Sequence, residues 1–194
     1  KFQNAILTYN LNRTDFDYQY FLAKHHAAKR GTAFLMDFYR VDKRKIMDPT
    51  DVNEDGTLEY EEKEVTDFDD DYTQWIPNEF IFIDGDAGDI DEAKDFIHRE
   101  IMDIDEFKRV YGFRKDCINI DLVKAGGDTS TKSYFRMPLD MSENHVELLH
   151  YYNRACDEYH ICANNIVVRM GPLPTKHKEL PLAAVYQYRL EGHL

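Results

Sequence analysis

The chain of 194 residues lacks the features that mark several common protein classes. No apolar run approaches the roughly 18 residues that a membrane helix needs, so no membrane span is predicted. It contains no C-x-x-C pair, which argues against a structural zinc site, and His145 and His150 do not have the H-E-x-x-H spacing of zinc enzymes. A glycine-rich phosphate loop is also missing. Because no catalytic motif is present, we expect a protein that is not an enzyme.

Basic residues are scarce in one stretch of the chain. Residues 48–106 hold 23 of the 37 acidic residues and only three bases (Lys63, Lys94 and Arg99), which gives this stretch a charge of −20. The total is −13, so the other residues sum to +7. A concentrated acidic zone favours cation binding and argues against nucleic acid as a partner. The split of charge also suggests a protein partner or a homo-oligomer.

Only three cysteines are present. Cys156 and Cys162 are close enough in sequence to form a small-loop disulfide, which would leave Cys117 unpaired; three buried thiols are the alternative. Asn12 begins an Asn-Arg-Thr glycosylation sequon. The chain starts at Lys1, as it would after removal of a signal peptide or if it were part of a longer chain. We expect a secreted glycoprotein with a disulfide, and a cytoplasmic protein is the alternative.

Residues 51–62, DVNEDGTLEYEE, match the calcium-loop pattern D-x-[DN]-x-[DN]-G-x5-E at every specified position. Ca²⁺ takes six to eight oxygen ligands, and Gly56 permits the sharp turn that folds such a loop around the ion. The alternative is an acidic surface turn. The pattern predicts one calcium site, with the backbone carbonyl of Thr57 and the side chains of Asp51, Asn53, Asp55, Glu59 and Glu62 as ligands.

This dodecamer resembles the EF-hand. A second segment, 83–94, aligns with it through GTLE (56–59) and GDID (88–91), but Lys94 stands where the bidentate glutamate belongs. We therefore expect 83–94 to be a degenerate partner loop. The resemblance implies a two-loop lobe of the calmodulin-like superfamily, in which a helix enters and leaves each loop.

The hydrophobic pattern predicts an α+β protein, with an N-terminal helical EF-hand-like pair (1–114) followed by an antiparallel sheet with one helix (115–194). The two regions are either separate or one continuous domain. In the first region we expect a strand at 2–9, helices at 15–30 (ended by Gly31), 32–47 and 104–113, a helix leaving Glu62 and another starting at Pro77. In the second we expect strands at 117–123, 133–139, 165–170 and 182–190, with a helix at 143–159.

The sequence thus predicts a secreted calcium-binding protein whose one EF-hand site has a structural or interaction role, in an extracellular matrix or mineral setting. An intracellular calcium buffer or sensor, similar to sarcoplasmic calcium-binding proteins, is the alternative. Such a protein would have helix–loop–helix units along its whole length. A C-terminal enzyme stabilised by calcium is a third interpretation, but no motif supports it.

Overall fold

The computed structural model describes residues 2–52, 58–112, 114–126, 144–175 and 177–187. These ranges form a β-rich fold with two antiparallel sheets and three α-helices, so the predicted N-terminal helical pair is wrong. The helices are α1 (Phe2–Arg13), α2 (Phe16–Arg30) and α3 (Ile104–Tyr111). The strands are β1 (Thr32–Val52), β2 (Leu58–Ile76), β3 (Ile81–Ile83), β4 (Asp95–Asp103), β5 (His145–Asn153), β6 (Glu158–Ala163), β7 (Ile166–Gly171) and β8 (Leu182–Tyr186).

The small sheet has the strand order β2-β1-β8 and the large sheet the order β3-β4-β5-β6-β7. Both sheets combine strands from either side of residue 115. The main core joins the two sheets, with Phe34 and Ile76 from the small sheet packed in one cluster with Phe96, Phe107 and Leu148. A second, smaller core lies between α2 and the other face of the small sheet, at Ala23, Ala27, Leu35 and Trp75.

Strands β1 and β2 occupy the segments where the sequence predicted the helices before and after the calcium loop. The apolar residues in 32–41 are so dense that they fit both the 3.6-residue period of a helix and the two-residue period of a strand. In the strand, Phe34 and Met36 join the main core while Leu35 joins the small one. The acids of β2 would repel each other at i, i+4 on a helix, whereas pairing with β1 sets Arg40 opposite Asp70.

The predicted helix at 143–159 is also wrong, because it is the hairpin of β5 and β6. Its buried residues, Val146, Leu148, His150 and Tyr152, alternate with half-buried ones along β5. A helical period selects Val146 and Tyr152 as well, which explains the error. The two-residue turn that follows β6, Asn164-Asn165, has positive φ at both positions, as a hairpin turn of this type requires.

The remaining expectations have mixed outcomes. The structure confirms α2 with its end at Gly31, whose φ of 87° suits glycine and whose N–H donates to Ala27 O over 2.8 Å. It also confirms α3, β7 and β8. The predicted strand 2–9 is instead α1, the predicted helix at Pro77 is a 3-10 turn (Asn78–Phe80) before β3, and the predicted strand 117–123 contains a 3-10 turn (Ile120–Leu122). The predicted strand 133–139 lies outside the described residues.

Candidate interaction arm and calcium loop

The hairpin of β1 and β2 extends well beyond the strand that supports it. Strand β8 pairs with β1 from Thr32 to Met36, and Asp37 N–H donates to Pro181 O over 3.0 Å. Past this point no strand in the described ranges pairs with the outer edge of β1, and none pairs with the outer edge of β2. We call residues 38–52 and 58–72 the arm.

The first two helices hold the base of the arm. Gln19 Oε1 accepts the backbone N–H of Trp75 over 3.0 Å, and Gln19 Nε2 donates to Tyr72 Oη over 3.5 Å. Arg13 pairs with Asp70 at 3.4 Å and lies over the ring of Phe68, 5.1 Å from its centroid. These contacts fix the direction in which the arm leaves the sheet.

The backbone alternation of the arm follows from these hydrogen bonds. The N–H groups of Asp37 and Trp75 both point away from the β1–β2 ladder, and their register partners are Thr73 and Leu35. In an antiparallel pair such outward residues alternate with residues that bond to the opposite strand. Before the first register shift, which follows Asp42, the odd-numbered residues of β1 therefore turn their backbone groups to the outer edge.

Large apolar side chains are exposed along the arm. Tyr39 is 63% exposed, Met47 64% and Tyr60 57%, and Val41 and Leu58 are exposed as well. A two-stranded ribbon alone is marginally stable in water. Because exposed apolar residues that lie close together are typical of contact surfaces, the arm is the main candidate interaction element.

The predicted calcium ligands fall at the far end of the arm. Asp51 in β1 and Glu59 in β2 are register partners, while Glu62 lies opposite Met47. Three residues at about 3.3 Å each place Glu62 roughly 10 Å along the strand from Glu59. The other three predicted ligands, Asn53, Asp55 and Thr57, are outside the described residues. Within the described ranges no group of three or more residues is arranged to hold a metal ion.

The predicted degenerate loop, 83–94, lies beside β8 and the large sheet. Asp84 Oδ1 accepts the N–H of Asp86 over 3.1 Å, and Asp89 Oδ1 accepts the N–H of Ile90 over 2.7 Å. Tyr186 Oη in β8 donates to Asp89 over 2.9 Å. These carboxylates therefore stabilise turns within the segment 83–94 by accepting hydrogen bonds. Together with Arg30, Thr32, Phe34 and Asn78, residues 83–88 line an open cavity of about 690 Å³.

A partly buried polar cluster that no sequence motif predicts crosses the large sheet. His150 is buried, with Nε2 3.1 Å from Glu100 Oε2 and Nδ1 2.9 Å from Tyr159 Oη. His98 is its register partner on β4, and the two imidazole rings are stacked 5.6 Å apart. Both ring nitrogens of His150 are thus engaged. A cavity of about 380 Å³ borders His98 and Glu100 and is walled by Pro77 and Phe80.

The protonation states of this cluster follow from burial and from its hydrogen bonds. Burial, reinforced by the neighbouring His150, lowers the pKa of His98 to about 4. Burial alone would raise the pKa of Glu100, but its hydrogen bond with His150 and the charges of the two histidines lower it. Burial raises the pKa of Tyr159. At neutral pH the cluster therefore contains an uncharged His98 and an ionised Glu100.

The residues of the predicted disulfide and glycan are also placed. Cys117, Cys156 and Cys162 are free thiols, so the structure contains no Cys156–Cys162 bond. Burial raises the pKa of the Cys162 thiol. Asn12 is exposed at the end of α1, while Thr14 of the sequon is buried and its hydroxyl donates to Leu11 O over 3.4 Å.

Comparison with other proteins gives no relationship from which a function could be carried over. No family model matches the chain, and no curated protein sequence matches it. None of the helices in the described part of the chain is long and apolar enough to cross a membrane. Any functional assignment therefore depends on the sequence and geometry of the chain itself.

Proposed function

We propose that this chain is a calcium-binding protein without enzymatic activity, which uses the arm to contact a protein partner. One observation carries the proposal. The arm leaves the sheet as a two-stranded ribbon, exposes Tyr39, Met47 and Tyr60, and has a complete calcium-loop sequence at its end.

Calcium would fix the end of the arm. The register brings Asp51 opposite Glu59, and the intervening segment adds the oxygen donors Asn53, Asp55 and Thr57. Carboxylates gathered in this way repel each other unless a cation lies between them. A hard cation that takes six to eight oxygens suits this donor set. Bound calcium would therefore hold the two strands together at the end of the arm, where no other strand of the described ranges supports them.

Glu62 distinguishes two geometries of the site. In an EF-hand the last glutamate of the loop binds the ion with both oxygens. In the hairpin, Glu62 lies within β2 opposite Met47, roughly 10 Å along the strand from Glu59. We propose the hairpin-end geometry, in which the loop sequence resembles an EF-hand but the flanking helices are replaced by strands.

The strands on either side of the loop also bear on whether the protein acts inside or outside the cell. The intracellular alternative, a protein similar to sarcoplasmic calcium-binding proteins, requires helix–loop–helix units along the chain, and the described residues form sheets in their place. We therefore propose a secreted interaction protein. Extracellular calcium modules bind in the range of about 10⁻⁴–10⁻³ M, which is the affinity expected of this site.

Isothermal titration calorimetry tests the calcium site. Wild-type protein should bind one Ca²⁺ per chain. The Asp55→Asn variant should lose roughly tenfold or more in affinity, because it removes a charged ligand. Asp86→Asn is the matched control, since it makes the same chemical change in the loop beside β8 and should leave the affinity unchanged. No binding heat at millimolar calcium, or equal affinities for wild type and Asp55→Asn, would contradict the proposal.

A further inference from the structure

The two strands of the arm carry opposite charge. Between Phe38 and Ile46, β1 contains four bases and one acid, and between Glu61 and Asp71, β2 contains seven acids and one base. These segments lie at the same height in the hairpin, because the register sets Arg40 opposite Asp70 and Lys45 opposite Glu64. The arm therefore has one basic strand and one acidic strand, each on the edge of a ribbon.

Both edges offer backbone hydrogen-bonding groups. No strand in the described ranges covers the outer edge of β1 beyond Asp37 or the outer edge of β2. Open edges are templates for another strand, and their charges decide which strand is accepted. Two β2 edges would bring carboxylates together, and two β1 edges would bring bases together. Only a β1 edge against a β2 edge joins opposite charges.

We infer that the arm binds a second copy of this chain, with β1 of one copy paired to the outer edge of β2 of the next. When two hairpins lie side by side in the same orientation, β2 of the first and β1 of the second run antiparallel. At equal height this contact sets the basic segment 40–45 of β1 in one copy beside the acidic segment 61–71 of β2 in the next, the two segments that the register also brings together within one copy. Because the two surfaces differ, the contact is head-to-tail rather than two-fold.

The apolar residues fit the same arrangement. Tyr39 and Met47 in β1 are exposed at the level of the paired segments, and Tyr60 is exposed in β2. In side-by-side ribbons they lie next to their counterparts of the neighbouring copy and lose water contact. Pro49 limits the contact, because it offers no N–H to a new strand, so the pairing ends near Met47.

Sedimentation velocity with charge-reversed variants tests this inference, which rests on the proposed role of the arm as a contact element. All runs contain a calcium chelator, so the calcium part of the proposed function does not affect the outcome. Wild type should associate more strongly at about 50 mM than at about 500 mM salt. Lys43→Glu/Lys45→Glu makes both strands acidic, whereas Glu64→Lys/Asp69→Lys leaves β1 basic and removes most of the negative charge of β2 between Glu61 and Asp71. Each variant alone should weaken association roughly tenfold or more.

An equimolar mixture of the two variants is the decisive sample, because the acidic β2 that the first variant retains then meets the basic β1 that the second variant retains, and association should return. Lys108→Glu/Lys115→Glu is the matched control, since it changes net charge equally at exposed positions outside the arm. Circular dichroism and melting curves establish that each variant folds. A wild type that stays monomeric, a reversed variant that associates as wild type does, or a mixture that stays monomeric would each overturn the inference.

Hydrogen exchange of the wild type provides a measurement that needs no variant. Amides at 39–47 and 60–71 should exchange more slowly at high than at low protein concentration, while those of the large sheet should not change. No concentration dependence in the arm would overturn the second-copy contact. Calcium binding intact in such a protein would leave the proposed function standing, with a partner of different sequence.

Discussion

Stability should fall in mildly acidic solution because His98 is half-buried in its neutral form. Its pKa is about 4 in the folded chain against an ordinary value of 6.5. Between these values the unfolded chain binds a proton that the folded chain does not, so the free energy of unfolding decreases as pH falls from 6.5 to 4. The pKa difference of about 2.5, at about 1.36 kcal/mol per pKa unit, limits this loss in the free energy of unfolding to roughly 3 kcal/mol. The actual loss is smaller, since His98 keeps some contact with water.

Urea unfolding at pH 7, pH 5.5 and pH 4 measures this loss. The His98→Gln variant removes the titrating group and should show a pH dependence smaller than wild type by up to roughly 3 kcal/mol over that range. Exposed His177 supplies the control, because His177→Gln should follow the wild-type curve. Because the pKa of Glu100 is also lowered, the free energy of unfolding continues to fall at pH values below those at which His98 titrates. Both variants retain this further loss. Identical curves for His98→Gln and wild type would mean that His98 binds its proton equally well in the folded and the unfolded chain.

Three further outcomes are expected. Glu62→Gln should reduce calcium affinity much less than Asp55→Asn, measured by calorimetry, because Glu62 lies roughly 10 Å along β2 from Glu59; an equal or larger loss would favour the EF-hand geometry. Replacing residues 41–69 by Asn-Gly, which closes the hairpin at the register pair Arg40 and Asp70, should keep the melting temperature within a few degrees and abolish calcium binding; an unfolded product would mean that the arm supports the core. Leu148→Ala should lower the free energy of unfolding by about 2–5 kcal/mol in urea, because Leu148 is fully buried; a loss below about 1 kcal/mol would contradict the core described above.

Local signals in the sequence were sufficient to predict a helix or strand where the residues at its own ends determine where it begins or stops. Helix α2 ends at Gly31 because glycine tolerates the positive φ that closes it, and strand β7 is a short, mostly apolar run that begins directly after the Asn164-Asn165 turn. Sequence alone could not separate helix from strand in 32–47 and 143–159. Both segments have enough apolar residues to satisfy either period, and the choice depends on partners far away in the chain.

The candidate site was predictable only in part. The dodecamer 51–62 is recognisable by residue type and spacing, which are local properties. That it ends a hairpin depends on the pairing of β1 with β2, whose acids and bases face one another only in the folded register. The cluster of His98, Glu100 and His150 was not predictable, because β4 and β5 are about 50 residues apart in sequence and meet only in the sheet.

Hydrogen–deuterium exchange of the wild-type protein in calcium and in chelator locates the calcium site, since it reports where the ion acts along the whole chain. Calcium bound at the end of the arm should slow exchange in peptides that cover residues 49–62 and leave the large sheet, including β5 and β6, unchanged. Equal exchange of residues 49–62 in both conditions at millimolar calcium, or protection confined to the large sheet, would contradict the account.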